Sequence, residues 1–362
     1  MIPRKGGGVA LGINEDQGWS LELTVRAGFG KGLPAITRLE TGQTMLITPA
    51  VSSPPAPAQP VVAWEDASCP LCLGRNSTPI IEAQDVHGGP DGLWFAVVQC
   101  DSCGACFSNP RPDPASIGQF YSGNYAPHQK HHQPATRKHW NPLRFLKGKP
   151  RVEKRPIAWH GQGRLLDFGC GSGAYMLEMQ RLGWKVAGLD TSIRMVERIR
   201  EELALPAYAG SLPHLDLEPE SFDVITMWHA LEHVHDPMRI LREARSLLAP
   251  GGKLVIAVPN IDSLQFRWFG RDWFALDLPR HLTHFTPTSL LQMLQRCGFA
   301  TEPIEFVRHG DWIRTAARRV CVKHSHPPLW QWLLKRRLPA QAVAWFSYFT
   351  AQSDCILAVG HR

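Results

Sequence analysis

LLDFGCGSGAYM, Leu165 to Met176, runs an apolar segment into an acid and then spaces Gly169, Gly171 and Gly173 ahead of a helix-forming run. That order reads as a buried parallel strand turning sharply into a helix N-terminus. Glycine tolerates positive φ and has no Cβ, so a polar ligand can lie against bare backbone N–H groups and the positive end of the helix.

Outward from this turn the pattern alternates. RLLDFG, KVAGLD, FDVITMW and GKLVIAVP read as strands, with helices over 173–182, 191–203 and 236–248 between them. Strand, helix, strand in that order means crossover connections and a mostly parallel α/β sheet. APGG at 249–252 reads as the end of the third helix and a turn into the next strand. Beyond Phe299, ATEPIEFVR and CILAVGHR read as strands at the sheet edge, separated by a Trp-rich helical segment around 328–350.

Composition sets bounds. With 362 residues and 44% apolar content, the chain can bury one large domain and something smaller. No apolar run reaches the roughly 18 residues that span a bilayer, and the N-terminus lacks a charged-then-apolar secretory pattern, so a cytoplasmic protein is the default. A formal charge of +7 suits an anionic partner: a phosphorylated small molecule, nucleic acid or an acidic surface. Around 328–350, Trp330, Trp332, Trp345 and Phe346 interleave with Lys335, Arg336 and Arg337. This is either a solvated basic face over a packed aromatic stripe, or a peripheral membrane contact or substrate-entry helix.

Nine cysteines include five between Cys69 and Cys106. Cys69, Cys72, Cys100 and Cys103 form C-x2-C-x27-C-x2-C, two thiolate knuckles with the spacing of a tetrahedral Zn2+ site; Cys106 is a spare that can replace Cys103. The short β-ribbon between knuckles is too small for its own core, so zinc would supply its folding energy. Four segments follow: a leader and Pro-rich linker over 1–60, a zinc-ribbon module over 61–125, a connector over 126–155 with nine Lys or Arg against one acid, and an α/β domain over 156–362.

G-x-G-x-x-A fits both a dinucleotide and S-adenosylmethionine, and Asp190, ending the second strand 17 residues beyond Gly173, can accept ribose hydroxyls from either. Asp167 two residues before the glycines, the SFDVITMWHALEHV segment and LLAPGGKLVIAVPN after it decide the matter. Over about 163–300 the sequence resembles the class I S-adenosylmethionine-dependent methyltransferases. The resemblance implies a Rossmann-like, mostly parallel seven-stranded sheet. It implies that Gly169, Gly171 and Gly173 line the methionyl part, that Asp167 orients the glycine loop and answers the cofactor's ammonium, that Asp190 takes the ribose, and that Ser211 and Leu212 contact adenine. Trp228 and His229 would sit beside the methyl donor.

The knuckles, followed by FSNPRPDPASIGQFYSGNY, resemble over 68–125 the zinc ribbons of bacterial methyltransferases associated with sugar and surface-polysaccharide biosynthesis. Tyr121 and Tyr125 either reach over the cleft or pack. DLPRHLTH resembles the substrate side of the same enzymes, which makes His281 and His284 candidate bases with His229. A structural role serves each single histidine equally well, and His233, inside a helix-like run, reads as the structural one. Arg280 suits a substrate phosphate or a surface ion pair. The leading reading is methyl transfer to a carbon or oxygen of a sugar or nucleotide-sugar. The alternatives are an RNA base methyltransferase that uses the ribbon as a clamp, and a non-catalytic zinc-ribbon interaction protein.

Overall fold

The computed structural model describes residues 62–87, 92–121, 155–323 and 327–362. Residues 1–60, Tyr125 and all of the basic connector but Arg155 lie outside the described residues. In the N-terminal third, β1 (Trp64–Glu65), β2 (Ser77–Gln84), β3 (Trp94–Cys100), β4 (Cys106–Ser108) and β5 (Arg111–Pro112) precede the α/β region. There follow β6 (Arg164–Phe168), α1 (Ala174–Arg181), β7 (Lys185–Asp190), α2 (Ile193–Leu203), β8 (Ala207–Ala209), β9 (Phe222–Trp228), α3 (Pro237–Leu247) and β10 (Leu248–Pro259). The last part holds α4 (Leu264–Phe269), β11 (Thr283–His284), α5 (Pro287–Arg296), β12 (Ala300–Thr301), β13 (Glu305–Val307), α6 (Gly310–Lys323), α7 (Leu329–Leu333), α8 (Arg337–Phe349) and β14 (Cys355–His361).

The main sheet runs β12-β14-β10-β9-β6-β7-β8, with β13 also pairing β14, so it has eight strands rather than the seven expected. The extra strand arises because ATEPIEFVR breaks at Pro303 into β12 and β13, each paired antiparallel to β14. β6 to β10 pair in parallel. β9 is buried at every position, which is why FDVITMW reads as a continuous apolar run: helices cover both faces. Each helix start carries a local signal, as where the Asp236 side chain accepts from Arg239 N at 2.9 Å with Pro237 in the first turn of α3. APGG does not form a glycine cap. α3 passes directly into β10 at Leu248, and the segment is taken up as a register shift between Leu248 and Lys253 with Gly251 at φ +74°. The Trp-rich segment is two helices, α7 and α8, that pack with α6.

The cysteine-bearing ribbon is not sealed within 61–125. β2, β3 and β4 form a sheet whose fourth strand is β11, with Thr283 opposite Phe107 and His284 opposite Cys106. Leu71, Val98 and Phe107 share one buried cluster with Leu166, Leu231 and Phe285, and Arg296 donates to the Leu71 carbonyl at 2.6 Å. As its size suggests, the ribbon packs into cores it shares with the α/β domain, which add to whatever zinc supplies. Among the described residues no helix is long and apolar enough to cross a membrane.

Candidate active site

At the C-terminal end of β6 the chain turns through three glycines at positive φ, Gly169 at +73°, Gly171 at +52° and Gly173 at +72°. A Cβ on Gly169 would meet Ala230 Cβ at 2.6 Å and one on Gly173 would meet Ile199 at 2.9 Å, whereas one on Gly171 would meet nothing within 4 Å. Two glycines thus serve close packing and the middle one bares backbone to open space. Asp190 ties the loop: its carboxylate accepts from Gly171 N at 2.8 Å and from Ser192 N at 2.9 Å. Asp167, given that orienting task by the sequence, is buried and accepts instead from Thr226 Oγ1 on β9 at 2.7 Å. Leu212 is packed into the main core, and Ser211 is half-buried beside it. The bare Gly171 backbone, the acid at the end of β7 and the helix start beyond Gly173 fit S-adenosylmethionine.

One strand further along, β9 delivers Trp228 and His229. Trp228 is buried, edge-on to Tyr175 at 5.2 Å. His229 adopts φ +54°, a left-handed conformation uncommon for a residue with a Cβ, while its N–H still bonds the Ala257 carbonyl at 2.9 Å. Its Nδ1 lies 3.1 Å from Oε1 of Glu232, which is 1% exposed. Burial alone would raise the Glu232 carboxyl, but the hydrogen bond and charge of His229, with His233 next, hold it below the ordinary carboxylate range. A buried anion accepting at Nδ1 fixes the ring so that Nε2 is the basic nitrogen.

His233 is not in a packed helix stripe. It ends a single 3-10 turn, Leu231–His233, with Nδ1 3.0 Å from the Tyr121 hydroxyl and 3.1 Å from the Arg280 carbonyl, and its ring is edge-on to His281 at 4.7 Å. His281 Nδ1 lies 2.9 Å from the Ala275 carbonyl. A carbonyl can only accept, so both rings carry their proton on Nδ1 and offer Nε2 as a base. Burial pushes His281 down to about 4 and outweighs Asp277 at 3.8 Å, so the ring is neutral. Glu232, His233 and His281 each bring a ligand-type atom within 4.8 Å of the others.

Two expected site residues are placed elsewhere. His284 lies in β11, 4% exposed, with Nε2 3.2 Å from Ser108 Oγ of the ribbon and its pKa pushed down by burial to about 3. It sits in the seam with the ribbon, whereas His233, which reads as structural in the sequence, lies with His281 beside Glu232. Arg280 is 0% exposed and spends all five N–H groups, on Asp85 at 2.5 and 3.0 Å, Asp277 at 2.9 Å, and the carbonyls of Phe120 at 2.9 Å and Leu278 at 3.3 Å. No N–H remains for a substrate phosphate. Glu232 and Trp312, whose ring lies 5.3 Å from that of His229, were missed. For Glu232 the signal was present: His229 and Glu232 stand three apart, one turn of helix or 3-10 helix, directly after an apolar strand.

On the ribbon, Cys69 and Cys103 sulfurs lie 3.5 Å apart, as do those of Cys72 and Cys100, and all four fall within 4.8 Å of one another without a disulfide. Sulfurs around a tetrahedral ion at about 2.3 Å stand about 3.8 Å apart, so the set fits zinc. Each knuckle closes on itself, Leu73 N to Cys69 O and Gly104 N to Cys100 O, both at 2.9 Å. Cys106 points to the Gly104 carbonyl at 3.7 Å and is outside the set, so it does not replace Cys103.

A methyltransferase-domain family profile matches residues 128–304. The ubiquinone biosynthesis O-methyltransferase of Xanthomonas euvesicatoria pv. vesicatoria is 33% identical over 167 residues, which cover 43% of this chain and 70% of that protein. The chain also resembles an S-adenosylmethionine-dependent methyltransferase from Mesorhizobium loti, at 22% identity and TM-score 0.40 over 57% of this chain and 94% of that one. Another from Archaeoglobus fulgidus matches at 17% identity and TM-score 0.40 over 56% of this chain and 87% of that one. The chain belongs to the S-adenosylmethionine-dependent methyltransferases, and it is an enzyme of that class.

Proposed function

We propose that the chain transfers a methyl group to a hydroxyl or acidic C–H of a sugar or nucleotide-sugar, with His229 as the base and Glu232 holding it, and that Cys69, Cys72, Cys100 and Cys103 bind zinc. Gly169, Gly171, Gly173, Asp190 and Trp228 would hold the cofactor, with Ser211 and Leu212 at the adenine end and Asp167 behind the loop. When bound, S-adenosylmethionine supplies a methyl carbon already activated by its sulfonium. The protein's tasks are then alignment and proton removal.

The carrying observation is the Glu232–His229 contact at the end of β9. His229 Nε2 takes the acceptor's proton, and the buried Glu232 anion stabilises the imidazolium that forms. Tyr121, His233 and His281 ring the same point with hydrogen-bonding groups, a lining suited to a hydroxyl-rich acceptor. Arg280 no longer argues for a phosphate on that acceptor. A second reading, an oxygen acceptor in ubiquinone biosynthesis, is favoured by the relative at 33% identity. The RNA reading is the weakest, since the ribbon carries only Arg75 between Ser68 and Pro110.

The test is release of S-adenosylhomocysteine by the purified chain with nucleotide-sugars, ubiquinone precursors and short RNAs in parallel. Turnover of nucleotide-sugars, lost in Glu232→Gln, is the expected outcome. Turnover of the second or third set alone replaces the acceptor class, and equal activity of Glu232→Gln removes the assigned base.

A further inference from the structure

The helices that follow β13 leave an apolar surface that the catalytic reading does not use. α8 buries Ala340, Ala344 and Ser347 against its neighbours, and its opposite side carries Leu338, Trp345, Phe346 and Phe349. Those positions, i, i+7, i+8 and i+11, form one stripe turned to solvent, with Leu338 at 82% and Phe349 at 75% exposure. An amphipathic helix of a globular domain would put polar residues there. α7 adds Leu329, Trp330, Trp332 and Leu333, none of them buried. Trp330 is edge-on to Trp268 at 5.2 Å, which extends the same surface.

Charge selects the occupant. From Trp312 to Ser353, 42 residues hold seven Lys or Arg and no Asp or Glu; Arg314 and Lys323 pair with Asp311 and Asp272, and Arg318, Arg336 and Arg337 are exposed. Lys335 and Arg336 each lie 5.3 Å from the Trp332 ring. Aromatic and aliphatic side chains rimmed by cations match the boundary of a bilayer, where hydrocarbon takes the apolar groups and lipid phosphates take the charges. A second copy would set the same cations face to face. A nucleic acid would stack on the tryptophans but leave Leu329, Leu333 and Leu338 without apolar cover.

We propose that α7 and the outer face of α8 dock the enzyme on an anionic lipid bilayer. The same helical unit reaches the site through α6, whose Trp312 lies against His229. The inference does not depend on which acceptor is methylated.

The experiment is flotation of the full chain with phosphatidylcholine vesicles, with and without phosphatidylglycerol. The expected result is at least about tenfold more protein floating with the anionic vesicles, reduced by added salt. The variant Leu338→Ser/Phe346→Ser/Phe349→Ser should lose that binding and still bind S-adenosylhomocysteine by calorimetry. In the unaltered protein, brominated phosphatidylcholine added to the anionic vesicles should quench tryptophan fluorescence, which gives a readout should the variant misfold. Absence of flotation, equal flotation with both vesicles, displacement by RNA without quenching, or a dimer that the variant converts to monomer would each overturn the proposal.

Discussion

Two buried charged clusters meet where Arg280 and His281 are neighbours in the chain, and they differ in what closes them. Around Arg280, Asp85 and Asp277 face a guanidinium with five donors, every one of them used, and Asp85 directly follows β2 of the ribbon's sheet. Around Glu232 the cation-formers among the described residues that act on its carboxyl are imidazoles, His229, His233 and His281. The first cluster is closed at its guanidinium and holds the ribbon against the α/β domain. The second keeps a buried anion beside groups that can take and return a proton. Saturation of hydrogen bonds, rather than burial or charge, separates a staple from a site.

The largest effect should come from opening the staple. Arg280→Met removes the guanidinium shared by two buried carboxylates and leaves Asp277 to His87 at 3.4 Å, a loss of about 3–5 kcal/mol. Thermal melts should show a fall of roughly ten degrees or more, or the protein should fail to accumulate. A variant that melts like the parent and shows only a raised acceptor KM would return Arg280 to the substrate. In the other cluster, Glu232→Gln keeps the shape and removes the charge. kcat should fall about a hundredfold or more while calorimetric binding of S-adenosylhomocysteine stays within about twofold. His229→Ala should cost a similar factor, and the double variant should lose little more than either alone.

The seam also sets a pH dependence. His281 and His284 are held at about 4 and about 3 when folded, against an ordinary value near 6.5. Between those values the unfolded chain binds protons that the folded chain refuses, so stability falls as pH drops below about 6.5 and keeps falling toward about 3. Melting temperatures measured from pH 8 to pH 5 should decline, and His284→Asn should flatten the slope. The smallest contrast is in the glycine loop. Gly171→Ala should keep the fold, at a backbone cost of about 1 kcal/mol, and weaken cofactor binding. Gly173→Ala, pressed at 2.9 Å against Ile199, should lose stability as well, by differential scanning calorimetry.

What the sequence made legible was local. LLDFGCGSG placed a strand, a turn and a helix because the apolar run and the glycines are contiguous, and Asp190 followed from the next strand end. The cysteine set followed from spacing. The role of Arg280 could not be read, because its partner Asp85 lies 195 residues away and the pairing exists only once β11 joins the ribbon's sheet. His284 read as a candidate base for the same reason: nothing in THF announces that its ring meets Ser108 across that seam. The surroundings of His233 could not be read either, because ALEHV has a helical pattern but closes after one 3-10 turn, which carries the ring toward Tyr121 and the Arg280 carbonyl.

The proton arrangement around Glu232 can be read without knowing the acceptor, from the ring-nitrogen NMR shifts of histidine-labelled protein near pH 8, assigned through His229→Gln, His233→Gln and His281→Gln. The expected result is the Nδ1–H form for all three rings, against the Nε2–H form that free imidazole side chains prefer, with His229 changing form in Glu232→Gln. Nε2–H forms at His229 and His281, or spectra indifferent to Glu232→Gln, would contradict the account of how this site holds its base.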